Sequence, residues 1–475
     1  MSICQSVRMP EPRTDAAGPN EPSDLPRLPD GFRFGASTAA YQIEGAVAEG
    51  GRGPSVWDTF CAEPGRIADG SSGAVACDHY HRYVDDVDLM RGLGLGGYRL
   101  SVSWSRVQPG GSGRANAEGL AFYDRLVDSL LEAGVRPMVT LFHWDLPQPL
   151  EAAGGWLNRD TSSRFADYAT LMAMKLGDRV EHWCPVNEPN VVTMLGHALG
   201  LHAPGKRLMF EALPVAHHLL LAHGRAVTAL RATGARSVGT ANNHSPVKAA
   251  SSEAADVAAA QQFDVLWNRT FSDPILLGRY PDGIAELMPG PVDDDLRTIS
   301  APIDFYGLNY YNPTVVADPA SPLPASGLDA STLGGPFKMV ALEGYRRTAM
   351  GWPVVPEGLR EQLVGLRTTY GDLLPPVYIT ENGCAYDDVA GPDGEVHDPD
   401  RVAYLDAHLR AVAAAIEDGV DVRGYYTWSL MDNFEWAEGY TKRFGLVHVD
   451  YETQRRTPKD SYRWYRDLIT AHAPR

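Results

Sequence analysis

The sequence predicts an α/β fold, a single (β/α)8 TIM barrel with long βα loops. Three observations predict it. Eight short β-rich runs alternate with segments of helical period, which implies a parallel sheet. About 440 residues past the N-terminal stretch suit eight such units with inserted loops better than an open doubly wound sheet. Polar and aromatic side chains gather at the C-terminal ends of the runs, the face where barrels carry their sites.

The runs, in order, are "FRFGAS" (32–37), "GYRLSVSW" (97–104), "RPMVTLFHW" (136–144), "HWCPVN" (182–187), "SVGTANNHS" (237–245), "DFYGLNYY" (304–311), "VYITEN" (377–382) and "VRGYYTW" (422–428). Between them lie helix candidates such as "YDRLVDSLLEAGV", where Leu126, Leu130 and Leu131 recur at helical spacing, and "RVAYLDAHLRAVAAAIEDGV". Residues 1–28, rich in Pro, Glu and Asp, read as a disordered tail, and 29–475 as one domain. The longest insertion, 312–350, is Pro/Gly/Ser-rich and shows no clear strand.

Composition narrows the function classes. A formal net charge of -18 argues against nucleic-acid or anionic-membrane binding. No apolar run approaches a membrane span, and the N-terminus lacks the apolar core of a signal peptide. Five cysteines with no CxxC read as free thiols, so a cytoplasmic location is expected. Oligomeric state is not legible. Gly92, Gly94 and Gly97 spell GxGxxG, but a helical segment precedes them and a strand follows, the reverse of a dinucleotide site. His217, His218 and His223 in "HHLLLAH" read as one helix face rather than a metal site. Neither a cofactor nor a metal is expected.

The strand ends carry the chemistry. Gln42 and Glu44 follow the first; Arg99 lies in the second; His143, Trp144 and Asp145 close the third. Asn187 and Glu188 close the fourth, Asn309 and Tyr311 the sixth, Glu381 the seventh. Trp428 ends the eighth, with Glu435 and Trp436 just beyond. A carboxylate at the tip of an apolar strand is costly unless it is solvated, paired or used. Two of them across a Trp-lined mouth suit glycoside hydrolysis, one as acid on the leaving oxygen, the other as nucleophile or as activator of water. Glu188 would be protonated and Glu381 ionised, with Arg99 and the Tyr311 hydroxyl available to stabilise the charge.

At this point "VNEP" (186–189), "ITENG" (379–383), "YRLSVSWSR" (98–106), "FGASTAAYQIEGA" and "WSLMDNFEWAEGYTKRFGL" (428–446) resemble glycoside hydrolase family 1, the retaining β-glucosidases, over about residues 30–470. The resemblance implies a retaining double displacement on small β-glucosides, with β-galactosides and β-fucosides as side substrates. It implies Glu188 as acid/base and Glu381 as nucleophile, supported by Arg99, Asn309 and Tyr311. Gln42, His143, Asn187, Glu435 and Trp436 match the residues that grip the sugar, and Trp428 its stacking platform. Trp352 matches a wall of the aglycone side, and Phe444 reads as site-lining.

Plainer readings stand beside these. Arg99 could be a structural ion pair, Asn309 a strand-end hydrogen bonder, His143 a satisfied structural histidine, and Trp352 and Phe444 packing residues. Tyr310 is expected on the opposite face of its strand from Tyr311. Pro185 departs from the family pattern; lacking a ladder donor, it is expected to shift the strand beside Glu188. Glu435 would repel the phosphate of a 6-phosphoglycoside, and Glu188 stands where thioglucosidases of the family carry Gln. The alternative within the class is a specialised β-glycosidase or transglycosidase for a natural-product glycoside. A silent sugar-binding protein is disfavoured by the intact Glu188/Glu381 pair, and an aldolase by the lack of a strand-end lysine.

Overall fold

The computed structural model describes residues 25–326 and 335–473. Residues 1–24, most of the expected tail, lie outside it, as do residues 327–334 of the long insertion. Within the last part of the expected tail, Leu28 is buried against the core and its N–H donates to His472.

Every stave of the sheet is parallel. The strands are Arg33–Ser37, Gly97–Ser101, Arg136–Phe142, His182–Val186, the split pair Ser237–Val238 and Asn242–Asn243, Tyr306–Asn309, Val377–Asn382 and Val422–Trp428. The fifth stave closes the barrel. Its first piece pairs with the fourth stave (His182 opposite Ser237), and its second with the sixth (Asn243 opposite Asn309). The first stave joins the second and the eighth. Almost every strand residue is buried, as expected where helices cover the outside and side chains fill the inside.

Alternation sorts the side chains. Val139, Trp183, Ile379 and Tyr425 join the main core with the helices, while Met138, Cys184, Tyr378 and Tyr426 form a separate small cluster with Ala241 and Phe305 inside the barrel. Above that cluster Arg99 donates to Thr140.

The helices follow from local chemistry. Ala117–Glu132 is capped by Asn116, whose side chain accepts from the Glu118 N–H, and buries Phe122, Leu126 and Leu130 against the sheet. Leu131, one residue past that stripe, is partly exposed. Pro399 opens Pro399–Glu417 at its first turn, where its missing N–H is harmless. The glycine decoy reads as expected: the helix His79–Leu93 ends on Gly94 in the left-handed region (φ 73°), and the second strand starts at Gly97.

Four expectations needed correction. The second and third strands end at Ser101 and Phe142, short of Trp104 and Trp144; Trp104 starts a helical turn and Trp144 takes φ 76°. The fifth run is two short pieces, not one strand. The insertion holds strands: Thr314–Ala317 and Lys338–Val340 form a three-stranded sheet with Val247–Ala249. Strands of three or four residues are too short to show a periodicity, so composition hid them. Pro185 leaves the ladder in register, with Cys184 opposite Thr140 and Val186 opposite Phe142 on the third stave. Just beyond it, the Asn187 N–H donates to the Phe142 carbonyl at 2.9 Å.

Candidate active site

A cavity of about 360 Å³ opens at the C-terminal end of the barrel, with Glu188 and Glu381 in its wall. Strict alternation would not bring both carboxyls there. Asn187 and Glu188 are consecutive, yet both face the site; Glu188 takes φ 45°, a left-handed conformation unusual for a residue with a side chain. Thr380 and Glu381 are also consecutive and also both point inward. Register shifts on either side of the seventh strand, between Ile379 and Glu381 against the sixth stave and between Ile379 and Asn382 against the eighth, mark the irregularity that re-aims Glu381. Asn382 then locks the tip outward by donating to the Tyr310 carbonyl and the Tyr404 hydroxyl, while Tyr425 donates back to it. Gly383 follows because a Cβ there would lie 1.7 Å from the Trp428 carbonyl oxygen.

One hydrogen-bond chain links the carboxyls. Glu381 Oε1 accepts from Arg99 Nη1 at 2.5 Å, and Oε2 from the Tyr311 hydroxyl at 2.8 Å. Arg99 Nη2 donates to Asn187 Oδ1 at 2.6 Å. Asn309 Nδ2 donates to the same oxygen at 3.1 Å and to Glu188 Oε1 at 2.9 Å. Arg99 is thus both an ion pair and a site residue. Asn309, matched in sequence to the surroundings of Glu381, serves both carboxyls: it donates to Glu188 and its side chain also helps to lower Glu381. Tyr310 does face the other way, donating to the Val355 carbonyl in the core.

Electrostatics separate the two groups. Burial raises Glu188 to about 8, and the charge of nearby Glu381 pushes the same way. Burial also raises Glu381 above the ordinary carboxylate range, but Arg99 and the Tyr311 hydroxyl pull it back. The proton therefore belongs on Glu188 and the charge on Glu381. Glu435 is a third carboxyl, half-buried in the cavity wall and raised to about 8 by desolvation and by Glu381.

Of the sugar-gripping candidates, His143, Trp428, Glu435 and Trp436 line the same cavity, and the buried Gln42 and Asn187 bond to Glu435 and His143. Gln42 Nε2 donates to Asn433 Oδ1 at 3.0 Å and to the Phe434 carbonyl at 2.9 Å, and reaches Glu435 Oε2 at 3.4 Å; its own Oε1 is buried without a partner. His143 stacks between Trp428 and Trp436 and bonds Asn187 through Nε2. Asn187 Oδ1 is committed to Arg99, so its amide faces His143 and the imidazole accepts at Nε2. Burial and Arg99 drive that ring's pKa far down, so it is neutral, and its Nδ1 is buried and unpartnered. Two orphan polar atoms beside aromatic faces form a site for a ligand with hydroxyls and an apolar side. Trp352, half-buried, packs on Tyr311 and Phe444, and all three line the cavity.

Sequence reasoning missed Asn243. Its Nδ2 donates to Glu188 Oε1 at 3.0 Å, and Trp267 Nε1 donates to its Oδ1 at 3.3 Å. The signal was present: the fifth run was the one strand end without a candidate. Trp144, Trp267 and His202 also line the cavity. The histidines of the "HHLLLAH" helix are structural. His217 bonds Tyr280 and Asp295, His218 bonds the Trp156 carbonyl, and His223 is buried.

A family model for glycosyl hydrolase family 1 matches residues 25–474. Beta-glucosidase A of Acetivibrio thermocellus is 45% identical over 450 residues, spanning 93% of this chain and 98% of the relative. A bifunctional beta-D-glucosidase/beta-D-fucosidase of Bifidobacterium breve is 47% identical over 463 residues, spanning 94% and 99%. Among solved structures, a family 1 beta-glucosidase from Thermotoga maritima superposes with a TM-score of 0.89 at 42% identity, covering 95% of this chain and 100% of that one. A psychrophilic beta-glucosidase from Micrococcus antarcticus gives 0.89 at 48% identity, covering 94% and 98%.

Proposed function

The chain belongs to glycosyl hydrolase family 1, and from that premise we propose how it works as a retaining β-glucosidase. It hydrolyses terminal, non-reducing β-D-glucosyl residues from short oligosaccharides and from aryl or alkyl β-glucosides. The bifunctional relative supports a side activity on β-fucosides, and we extend the proposal to β-galactosides.

The observation that carries the assignment is the unequal treatment of two linked carboxyls: Glu381 lies on Arg99, and Glu188 has no cation of its own among the described residues. In the first step Glu381 attacks the anomeric carbon while Glu188 gives its proton to the glycosidic oxygen. The C–O bond breaks, the alcohol leaves, and a glycosyl ester forms on Glu381. The spent Glu188 carboxylate then takes a proton from water, whose oxygen attacks the same carbon and releases Glu381. Two displacements preserve the β configuration.

Gln42, His143, Asn187, Glu435 and Trp436 hold the sugar's hydroxyls, with Trp428 beneath its ring. Trp352 and Phe444 wall the outer side. A Glu435 that is protonated at neutral pH donates as well as accepts. Among the described residues no helix is long and apolar enough to cross a membrane. A cytoplasmic location, and small β-glucosides released from cellulose as substrates, complete the proposal.

The test is an NMR time course on an aryl β-glucoside. β-Glucose appearing before mutarotation is expected. α-Glucose appearing first would place a water between the carboxyls and overturn Glu381 as nucleophile.

A further inference from the structure

A second cavity of about 270 Å³ opens beside the catalytic one. Leu195, Phe263, Trp267 and Met339 line both, so the two spaces share a wall. The banks of the second space are two π-helical segments, Val192–Ala198 and Val265–Arg269, each a local widening of a helix. Trp267 stacks on Phe263 with 12° between the rings, and Phe337 meets Phe263 edge-on. At the outer end Leu201 and Phe210 are 41% and 50% exposed, a large apolar presence on a surface.

The chemistry of the walls is one-sided. Met194, Leu199, Leu213 and Leu266 add only apolar surface. The polar side-chain atoms are committed elsewhere: the Thr193 hydroxyl to the Pro189 carbonyl at 2.7 Å, and Trp267 Nε1 to Asn243. A second sugar placed here would leave its hydroxyls unpaired, at a cost, whereas a polymethylene chain would only leave water.

Position says which part of a substrate reaches it. Trp267 bonds Asn243, and Asn243 bonds Glu188. The groove therefore lies on the side of the group that would protonate the leaving oxygen, where the leaving group must depart.

We propose that this groove holds the hydrocarbon chain of the leaving alcohol, making long-chain alkyl β-glucosides preferred substrates. The inference rests on the glucosidase reading and names the aglycone class for the same site. It is distinct from the wall at Trp352, which meets the first atoms of any aglycone.

The test compares kcat/KM for butyl and octyl β-glucosides below their micelle concentrations. Their leaving oxygens are equally basic, so chemistry is constant and only the chain differs. Each methylene that leaves water is worth up to about fourfold, so octyl is expected to exceed butyl by ~10-fold or more. Phe210→Asp and Leu201→Ser alter side chains that are already well exposed, so folding is preserved. Each is expected to bring the octyl/butyl ratio to within about twofold of unity, with 4-nitrophenyl β-glucoside cleaved as by the wild type. Equal rates for both chains in the wild type would overturn the proposal. So would a ratio that survives both substitutions, or octyl glucoside inhibiting without being cleaved. If no β-glucoside of any kind is cleaved, the glucosidase reading itself falls and takes this one with it.

Discussion

Two buried charge clusters lie a short way apart and are built on opposite rules. In the first, Asp388, Asp398 and Asp432 meet Arg401, Arg443 and Lys459. Lys459 bridges Asp388 at 2.5 Å and Asp432 at 2.7 Å, Arg401 bridges Asp388 at 2.6 Å and Asp398 at 2.5 Å, and Arg443 holds Asp432 at 2.7 Å. Acids and bases match three to three. In the second, Glu188, Glu381 and Glu435 face Arg99 as the one cation bonded to any of them among the described residues. Burial opposes both clusters and lifts Asp398 above its ordinary value, but Lys459 and Arg443 bring Asp432 below its own, whereas Glu188 and Glu435 stand at about 8. A balanced cluster pairs each carboxylate with a cation and braces the chain. An unbalanced one keeps protons and has them available for chemistry. Asp432 also accepts from the Gly445 and Val449 N–H groups.

The largest break in the comparison removes the one paired charge of the site. Glu381→Ala is expected to lower hydrolysis by about 10⁴-fold or more. Azide should restore turnover of an activated β-glucoside and yield the α-glucosyl azide, since the cavity admits an external nucleophile. Rates near wild type without azide would remove Glu381 from its role.

Next comes the protonated member. Glu188→Ala should cost about 10²- to 10⁴-fold on alkyl glucosides but far less on dinitrophenyl glucosides, whose leaving group needs no proton. Leaving-group series for both enzymes check this, and equal losses throughout would reject Glu188 as the acid.

Making the balanced cluster resemble the site is expected to harm stability and leave chemistry alone. Lys459→Met leaves three aspartates to two arginines and should cost about 3–5 kcal/mol. A lower Tm is expected, with kcat/KM unchanged at temperatures where the variant stays folded. The pH sign follows from Asp432, whose folded pKa is depressed. Its contribution is complete above the unfolded pKa and is lost as pH falls through the folded one. The variant should therefore lose less stability on acidification than the wild type.

The mildest perturbation keeps shape and removes a titration. Glu188 is raised, so its favourable contribution is complete below the unfolded carboxylate value and is lost as pH rises through about 8. Glu188→Gln should be more stable than wild type at pH 7 and above, by a few degrees in Tm, and not at pH 4. Thermal melts at the two values check it. In Glu381→Gln, carbon NMR of Glu188 should show its titration moving down from about 8, since one cause of the rise is gone; the wild-type values belong to the coupled pair.

Much of this was legible in the sequence, and the failures have causes. Glu188, Tyr311 and Glu381 stand at strand ends and Arg99 within the second strand, so reading the staves places them at one mouth. Trp352 and Phe444 were legible only by resemblance, because they lie on loops whose course no period predicts. Asn243 went unread because its stave, read as one strand to residue 245, is two two-residue pieces, so its true end was not located. The strands at 314–317 and 338–340 were hidden inside an insertion that composition marks as loop.

By itself the sequence determined the barrel, the order of its staves and the residue types at each strand end, because these depend on local periodicity and on neighbours along the chain. Tertiary structure decided which way the carboxyls point and which one keeps a proton. Aim came from a left-handed Glu188 and an irregular ladder around Glu381, both departures from the alternation that made the strands readable. Protonation came from groups at positions 99, 188, 381 and 435, which are remote in the chain and meet only when the barrel closes. Coulomb forces and desolvation act through space, so no stretch of sequence carries them.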